Sequence, residues 1–397
     1  MIKLLLVGDL FDADWVSQVE AQENWELIVA TDGGVVSDHL ATQFFNLVVM
    51  DISLSAINGI DFLLEIKKHY PDVIRIALFS DPKFESELEH IQAAHQLMLK
   101  PVTKEQLVGA IHRRLDMKII LGSAELKKAV DSLHKLPSLP DLYQKIVAQA
   151  GLKNSTLEGI AVIVGKDIAM TAKILQLVNS AFFGLENRVS TVAQAINLLG
   201  LDAIKGLVLQ VHLFDGEFAS KMKKNRLEQL TAHSQKVGCL AREIAKLEGM
   251  PDKHCDMAML AGMLHDVGQL AFAVSYPDQY ESSPVCSNCL LEERQEWERQ
   301  TFGAPQSEVG AYLMDHWGLP GELVEAIAYH QNPLCTHVPE LSPLTAVHIA
   351  NVLIVQSGMD EGPAEKYVEL CQPYLEKLGI ADHEPQWRKV LEATLSE

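Results

Sequence analysis

The chain has 397 residues, of which 48% are hydrophobic and 22% are charged. This balance excludes an intrinsically disordered protein, and the length indicates two or three folded domains. The 33 Lys and Arg face 53 Asp and Glu, for a net charge of -20, so non-specific binding to DNA, RNA or an anionic membrane is not expected.

The first 118 residues alternate short apolar runs with helical patterns. The predicted strands are Ile2–Val7, Leu27–Thr31, Leu47–Met50, Ile74–Phe79 and Leu97–Leu99, and the predicted helices are Ala13–Ala21, Gly33–Thr42, Gly59–His69, Phe84–Ala94 and Lys104–Arg114. Continuous apolar strands separated by helices indicate a parallel sheet covered on both faces. We therefore predict an α/β domain, a doubly wound five-stranded parallel sheet, over residues 1–118.

From about Ser123 onward, apolar stripes at helical spacing replace the strand-like runs. The predicted helices are Leu126–Leu133, Pro140–Ala150, Leu157–Val164, Ile168–Asn179, Val192–Leu199, Ala203–Val211, Leu227–Glu248, Asp256–Leu264, Glu292–Thr301, Ser307–His316, Leu323–His330, Pro343–Val355 and Ala364–Leu378. We predict a linker or connecting helix over residues 119–132, an all-α domain over 133–355 and a helical extension over 356–397.

Polar residues follow four predicted strands of the first domain: Asp9, Asp51, Ser80 and Lys100. In an open parallel sheet, ligands gather at the carboxyl ends of the strands. Asp51 can accept a phosphoryl group as a nucleophile, and a second carboxylate, Asp9, can help to hold Mg²⁺. The hydroxyl of Ser80 and the ammonium group of Lys100 can then contact the new phosphoryl oxygens.

This region, roughly residues 1–118, resembles the receiver domain of two-component response regulators, which has a CheY-like fold. The resemblance rests on Val48-Val49-Met50-Asp51, Asn58-Gly59, Phe79-Ser80 and Leu99-Lys100-Pro101. It implies that Asp51 is the phosphoacceptor and that Asp9 and Asp51 hold Mg²⁺. It also implies that Ser80 is the switch hydroxyl, that Lys100 contacts the phosphate, and that the Lys100-Pro101 bond is cis.

Three positions depart from the family pattern. Gly8 stands where a second acid is usual, Ser55 where a proline is usual, and Leu97 where a switch aromatic is common. The loss of one acid weakens metal binding but leaves the direct ligand in place. A pseudo-receiver in which Asp51 is structural is therefore the alternative.

Two segments of the helical region carry local signals. Asp167 suits the N-cap of an apolar helix, and Asn179 is expected to cap that helix locally rather than to bind a ligand. The segment Asn197–Lys205 superficially suggests a helix-turn-helix. Its second helix offers only Lys205 and Gln210 as polar readers, so we predict a packed helical hairpin and no direct DNA binding.

His233 and the adjacent pair His265-Asp266 form a further signal. An adjacent His-Asp pair at a helix end, with a second His on an earlier helix, can bind a divalent metal and activate water. A buried histidine paired to a carboxylate is just as stable without a metal. The residues alone leave both readings open.

The helical region resembles the HDOD module, a relative of the HD-type metal phosphohydrolases, over about residues 133–348. Its marks are Leu136-Pro137-Ser138-Leu139-Pro140, Asp167–Gly184, Val192–Leu201, His265-Asp266, Phe302-Gly303, Trp317-Gly318-Leu319-Pro320 and Ile327-Ala328-Tyr329-His330. The resemblance implies a degenerate HD site made of His233, His265, Asp266 and His330.

The degeneracy follows from three amide side chains that stand where active relatives carry metal ligands: Gln306, Gln331 and Asn351. Amides are poor substitutes for imidazole or carboxylate ligands. We therefore expect neither a metal nor catalysis in this domain, with a residual divalent metal as the alternative.

The two resemblances together predict a phosphorylation-controlled signalling protein. A sensor histidine kinase or a phosphotransfer protein would phosphorylate Asp51, and the HDOD domain would signal to an unknown partner protein without catalysis. The alternatives are a receiver-regulated metal-dependent phosphohydrolase or cyclic dinucleotide phosphodiesterase, and a constitutive scaffold with an inactive receiver. The receiver family also leads us to expect a homodimer through the face around Phe84–Arg114.

The sequence further predicts a cytoplasmic protein. Its six cysteines are scattered, so free thiols in a reducing compartment are the default. Cys286 and Cys289 form a lone CxxC with no second pair at zinc-site spacing, and we expect a chance pair. No apolar stretch is expected to cross a bilayer, and Met1–Val7 is predicted to be a strand rather than a signal peptide.

Overall fold

The structure is a computed structural model, and it describes residues 2–9, 11, 13–53, 58–80, 94–133, 140–150, 156–179, 189–215, 222–281, 291–317, 319–336, 339–358 and 368–395. It divides into two compact units, Met1–Ile119 and Ile120–Glu397. Nearly all of the predicted helix Phe84–Ala94 lies outside the described residues, and so do Ser55, Cys286 and Cys289.

The first unit contains a five-stranded sheet whose described pairings are all parallel. Its strands are β1 (Ile2–Val7), β2 (Trp25–Ala30), β3 (Leu47–Asp51), β4 (Ile74–Phe79) and β5 (Gln96–Leu99). Its helices are α1 (Ala13–Glu23), α2 (Gly33–Thr42), α3 (Gly59–His69) and α4 (Lys104–Leu121). The strand order is β2-β1-β3-β4-β5, which confirms the predicted doubly wound α/β fold.

Both faces of the sheet are covered by apolar cores. Leu4 and Leu6 of β1 belong to the core that includes Ile111 of α4. Leu5 and Val7 point to the opposite face and belong to the second core, as the two-residue period of a strand requires. Because both faces are buried, β1 reads as a continuous apolar run in the sequence rather than as an alternation.

Helix α4 is longer than predicted and ends at Leu121 rather than at Arg114. Its buried stripe continues past Leu115 to Met117, and no Gly or Pro stands between Arg114 and Gly122. Ser123 then caps the next helix, since its hydroxyl accepts from the backbone N–H of Leu126 over 3.1 Å.

The described part of the second unit is helical. Its helices are α5 (Ala124–Ser132), α6 (Asp141–Ala150), α7 (Leu157–Gly165), α8 (Ile168–Val178), α9 (Val192–Leu199), α10 (Leu201–Asp215), α11 (Lys224–Leu247), α12 (Asp252–Leu264), α13 (Val267–Ser275), α14 (Pro277–Glu281), α15 (Leu291–Phe302), α16 (Gln306–His316), α17 (Gly321–Tyr329), α18 (Pro343–Gln356), α19 (Gln372–Leu378) and α20 (Glu384–Leu395). Two 3₁₀ turns, Pro333–Cys335 and Ala381–His383, join them. Helix α11 packs against α12 and α18, and α12 also contacts α17 and α18. The predicted all-α fold is confirmed.

Helix α13 was not predicted from the sequence. All of its residues except Gln269 are buried, and a helix buried on every side carries no amphipathic period. The stretch Asp252–Ser275 is largely apolar for the same reason. By length and composition it could therefore cross a membrane, whereas we had expected no stretch of this kind. The 18-residue apolar window within this stretch lies inside the unit, which is the pattern of core helices.

Glycines allow two close helix contacts beside the buried polar residues of this unit. A Cβ atom on Gly262 of α12 would lie 2.7 Å from the Cα atom of Gly238 on α11. A Cβ atom on Gly268 of α13 would overlap the backbone carbonyl oxygen of Gln306. The starts of α13 and α16 are therefore held in backbone contact, which brings the side chain of Gln306 to Asp266.

Candidate functional site

The first candidate site is the carboxylate of Asp51 at the end of β3, which is 6% exposed. Lys100 follows β5 and places its Nζ atom 2.9 Å from Oδ1 and 2.8 Å from Oδ2 of Asp51. The backbone N–H of Ser53 donates to Oδ1 over 2.9 Å. Such charge-assisted bonds offset the cost of burying two ions. The structure thus brings two predicted residues into direct contact.

Ser80, the predicted switch hydroxyl, lies on the same edge. Its Oγ atom is 3.3 Å from the Oγ atom of Ser53, and both residues are exposed. Ser53 was not predicted as a site residue, and its place two positions after Asp51 was the signal that could have found it. The two hydroxyls form a polar pair beside the carboxylate.

Asp9 follows β1 at this edge, because β1 runs parallel to β3 with Val7 opposite Met50. Its side chain is exposed. A Cβ atom on Gly8 would lie 2.9 Å from the Cβ atom of Asp51, so the second acid of the family pattern has no room on this backbone. Two carboxylates fit Mg²⁺, which prefers oxygen ligands and usually keeps several waters.

Two further features of the receiver pattern are visible. The Lys100-Pro101 peptide bond is cis, as predicted. Leu97 stands where a switch aromatic is common, and it packs against the core that contains Ala77 and Phe79. An aromatic ring that changes rotamer at this position is therefore not available to this chain.

The second candidate site lies at the C-terminal end of α12. His233 belongs to α11, His265 is the C-cap of α12, and Asp266 precedes α13. The Nε2 atom of His233 is 3.2 Å from Nε2 of His265 and 3.8 Å from Oδ2 of Asp266. The same oxygen is 3.3 Å from Nε2 of His265. All three ligand atoms lie within 4.8 Å of one another, the spacing that one divalent ion can use.

Hydrogen bonds to the backbone orient two of the imidazole rings. Nδ1 of His265 donates to the carbonyl oxygen of Gly262 over 2.6 Å, which leaves Nε2 facing His233 and Asp266. His330, the C-cap of α17, donates its Nδ1–H to the carbonyl oxygen of Ile327 over 2.8 Å. Nitrogen lone pairs and a buried carboxylate repel one another unless a cation lies between them, and that cation is either a proton or a metal ion.

The electrostatics of this cluster suit a metal. Burial alone would raise the pKa of Asp266, but His265, with His233 and His330, holds that pKa well below its usual range. Burial, reinforced by His265, lowers the pKa of His330 to about 3. Ligands must be deprotonated to bind a metal, and at neutral pH Asp266 and His330 meet that condition. The residues therefore fit the divalent ion that the HD resemblance implies.

The three amides are placed differently. Nε2 of Gln306 donates to Oδ1 of Asp266 over 3.0 Å, so this amide supports the carboxylate. Oε1 of Gln331 accepts from Gln295 of α15 over 3.0 Å, and Asn351 is 5% exposed on α18. Of these three amides, Gln306 therefore makes a hydrogen bond to Asp266.

His348 of α18 lies next to this site, and the sequence assigned it no role. It is 1% exposed. Its Nδ1–H donates to the carbonyl oxygen of His330 over 2.8 Å, and its Nε2 accepts from the backbone N–H of Cys371 over 3.0 Å. Burial lowers the pKa of His348 to about 4. His348 stands three residues before Asn351 in the sequence, but that spacing gave no signal for its contacts with the backbone.

The other segments singled out in the sequence have structural roles. Asp167 accepts from the backbone N–H of Met170 over 2.9 Å and caps α8. The side-chain oxygen of Asn179 accepts a hydrogen bond from the backbone N–H of Val189 over 2.7 Å. Gln210 is 1% exposed, so it cannot read a DNA base from this position.

Two family models match the chain. The response regulator receiver domain matches residues 12–112, and the HDOD domain matches residues 136–333. An uncharacterized protein of Treponema pallidum (strain Nichols) is 26% identical over 287 residues, which cover 65% of this chain and 52% of that protein. The chain therefore spans about half the length of this curated relative.

Two solved structures are similar to parts of this chain. An HDOD domain protein from Geobacter sulfurreducens is 20% identical with a TM-score of 0.50, over 70% of this chain and 89% of that chain. A CheY-like receiver domain protein from Methanospirillum hungatei JF-1 is 26% identical with a TM-score of 0.27, over 29% of this chain and 94% of that chain.

The chain contains a parallel sheet with a buried Asp-Lys pair at its carboxyl edge, and an HD-related helical domain follows it. These two features define the class of signal-transduction proteins with a receiver. Within that class, this chain is a response regulator in which a receiver domain is joined to an HDOD domain.

Proposed function

We propose that Asp51 accepts a phosphoryl group from a histidine kinase or a phosphotransfer protein, and that the HDOD domain passes the signal to a partner protein through contacts. In the transfer, an oxygen of Asp51 forms a P–O bond as the P–N bond of the donor breaks. The electron pair of the broken bond stays on the donor imidazole, which takes up a proton. The observation that carries this proposal is the pair of contacts from Lys100 to both oxygens of Asp51.

The surrounding groups suit this reaction. Phosphorylation replaces a single negative charge with about two, and Lys100 is already in place to pair with them. The hydroxyls of Ser53 and Ser80, 3.3 Å apart, are free to rotate and donate to phosphoryl oxygens. Mg²⁺ held by Asp9 and Asp51 would neutralise charge on the transferring group. Movement of Lys100 and Ser80 toward the phosphoryl group would change the receiver surface.

The test is phosphorylation of the full chain with acetyl phosphate and Mg²⁺, read by intact mass. We expect the mass of one phosphoryl group to be added to wild type and to the control Asp38→Asn, which changes an exposed carboxylate of α2. We expect no addition to Asp51→Asn. An unmodified wild type, or a phosphorylated Asp51→Asn, would contradict the proposal and favour a constitutive scaffold.

The proposed partners are proteins, and the proposed compartment is the cytoplasm, where free thiols stay reduced. Free cysteines such as Cys239, which is buried in α11, agree with that compartment. A pull-down with phosphorylated wild type and with Asp51→Asn should differ in at least one bound protein. Homodimerisation around Phe84–Arg114 stays a prediction, to be checked by the mass in solution before and after phosphorylation.

A second candidate function is a metal centre in the HDOD domain. The observation that favours it is the set of His233, His265 and Asp266, whose ligand atoms lie within 4.8 Å of one another. Two nitrogens and one carboxylate oxygen suit Fe, Mn or Zn better than Mg or Ca. When bound, such an ion would act as a Lewis acid or would brace the helices that carry its ligands.

Metal analysis of the purified chain separates these readings. We expect about one ion per chain in wild type and none in His265→Ala, with His316→Ala, an exposed histidine of α16, as the control. Release of phosphate or opening of a cyclic dinucleotide by the loaded protein would establish the hydrolase instead of the contact-based output. Metal-free wild type after incubation with each ion would exclude the metal centre.

A further inference from the structure

Helix α7 is apolar on both of its faces. Ile160 and Val164 are buried in the unit, whereas Val162 is 60% exposed and Leu157 is 42% exposed. Glu158 is the one charged residue in the helix. A helix at the surface of a globular domain normally turns a polar face to water. The outer face of α7 therefore has the composition of a buried face, although it is exposed.

A groove lies between α6 and the junction of α7 with α8, and it opens to solvent. Its volume is about 950 Å³. Its apolar lining includes Leu142 of α6, Ile163 of α7 and Ile168 of α8, and Ile168 is 82% exposed. Exposed apolar surface of this kind marks interaction sites. The volume equals that of about two turns of an α-helix with a diameter of about 10 Å.

Two exposed lysines line the groove beside its apolar residues: Lys145 of α6 and Lys166, the C-cap of α7. Among the described residues, neither ammonium group has an ion-pair or hydrogen-bond partner. Two carboxylates also line the groove, but Asp167 is the N-cap of α8 and Asp141 lies in the first turn of α6. Negative charge at these places stabilises a helix. The lysines therefore carry the charge that the described contacts of the groove leave unpaired.

We propose that this groove binds an acidic amphipathic helix of the partner protein. The apolar side of such a helix would cover Leu142, Ile163 and Ile168, and carboxylates along its edge would pair with Lys145 and Lys166. Ion pairs gain strength where apolar surfaces exclude water. A small molecule inside the groove would leave the outer face of α7 exposed, whereas a helix can also cover part of it.

This inference rests on the proposed function, in which the HDOD domain signals to a partner protein through contacts. It names the surface that the partner uses and the chemistry of the segment that binds there. The full chain has a net charge of -20, so an acidic segment is repelled by most of its surface. Two lysines at an apolar groove would then favour this place over others, because charge complementarity selects among binding surfaces.

The first probe is a displayed library of helix-forming peptides about four turns long, selected on the full chain. The library varies apolar, acidic and basic residues on a constant alanine-rich framework. We expect the selected peptides to carry an apolar stripe at helical spacing and at least two carboxylates beside it. Selection of basic peptides, of peptides without the stripe, or of no peptide at all would overturn the proposal.

The second step places the peptide on the structure by fluorescence anisotropy with a labelled copy. Lys145→Glu/Lys166→Glu should weaken binding at least about 10-fold, and Ile168→Ala should weaken it at least about fivefold. Lys127→Glu/Lys128→Glu makes the same change of charge on exposed lysines of α5 and should have little effect. All of these positions are exposed, and far-UV circular dichroism checks that each variant is folded. Equal affinities of the two double variants would overturn the assignment to the groove.

Phosphorylation separates this inference from the proposed function. We expect treatment of wild type with acetyl phosphate and Mg²⁺ to change the affinity for the peptide at least about fivefold, with no change in Asp51→Asn. If Asp51 is phosphorylated but no acidic peptide binds through Lys145 and Lys166, the phosphoacceptor stands and the groove is wrong. If the peptide binds in the groove with equal affinity in both states, the groove stands and its control by the receiver is wrong.

Discussion

The backbone at Gly8 approaches Asp51 too closely for any side chain. Its φ of +152° also disfavours residues other than glycine. The missing acid of the receiver pattern is therefore tied to a backbone conformation, and it is not restored by adding a carboxylate at this position. The proposed phosphoacceptor edge therefore offers Asp9 and Asp51 as its carboxylates, within the part of the edge that the structure describes.

We predict that Gly8→Ala lowers the free energy of unfolding of the first unit by about 1–3 kcal/mol, because the new Cβ atom meets the Cβ atom of Asp51. Urea unfolding of the full chain measures this. Gly165→Ala is the control, because a Cβ atom there meets nothing within 4 Å, and its effect should stay below about 1 kcal/mol. Equal stability of the two variants would show that the edge adapts freely.

His95 gives the first unit a pH dependence. Its Nδ1 accepts from the backbone N–H of Arg75 over 3.0 Å. Burial, then the charges of Arg75, Arg114 and other cations, lower the pKa of His95 from 6.5 to about 3. In the folded state the ring stays neutral, whereas the unfolded chain takes up a proton below about pH 6.5. The unfolded state therefore binds more protons between these two values, and stability falls as the pH falls through that window.

We predict a loss of about 1–2 kcal/mol from this group between pH 6.5 and pH 4, after allowance for solvent screening of a partly exposed side chain. His95→Asn keeps an acceptor for Arg75 but cannot titrate. The number of protons that the variant takes up on unfolding should therefore be lower than in wild type by up to one. Urea unfolding across this range measures the slope. The same slope in wild type and variant would contradict the assignment.

At the level of single residues, the sequence predicted only part of the two candidate sites. Asp51 and Lys100 were found because each follows a predicted strand, and strand ends converge at one edge. His348 was missed because its contacts are with the backbone carbonyl of His330 and the backbone N–H of Cys371. Backbone partners leave no trace in side-chain patterns.

At the scale of elements, the strands were predicted to within a few residues because β1, β3 and β4 are buried runs bounded by polar turns. Helix α13 was missed because nearly every residue in it is apolar and buried, so its sequence shows no helical period. The extent of α4 was underestimated because the pattern weakens after Arg114, whereas the buried stripe continues to Met117.

The contact between α11 and α12 depends on two glycines, and it holds the histidine cluster together. A Cβ atom on Gly262 would lie within 3.1 Å of three backbone atoms of Val237 and Gly238, and backbone cannot move aside as a side chain can. The carbonyl oxygen of Gly262 also accepts from His265. Displacement of α12 would therefore move His265 and Asp266 away from His233.

We predict that Gly262→Ala lowers the free energy of unfolding of the second unit by about 1–3 kcal/mol or more and abolishes metal uptake. Ala258→Ser on the same helix, also fully buried, is a control for a small change in volume without a backbone clash. Thermal unfolding and metal analysis measure the two effects. Unchanged metal uptake by a destabilised Gly262→Ala would show that the cluster tolerates movement of α12.

At the scale of the whole molecule, composition and pattern gave the division into an α/β part and a helical part, because each part has its own hydrophobic period. The function of a response regulator requires more than two folded units. The free energy of the output domain must differ between the phosphorylated and unphosphorylated states of the receiver. That difference in free energy depends on tertiary contacts, which the hydrophobic periods of strands and helices do not predict.

We predict that phosphorylation of Asp51 changes backbone hydrogen exchange at amides beyond residue 120, in addition to amides near β3 and β5. A coupling of about 1–3 kcal/mol corresponds to a change of about 5–150-fold in the population of a locally open state. Hydrogen-exchange mass spectrometry of the full chain with and without acetyl phosphate measures it. Asp51→Asn is the control and should show no change. If exchange changed only within residues 2–119 of wild type, phosphorylation would not reach the HDOD domain within one chain, and the output would have to depend on a partner that binds the receiver directly.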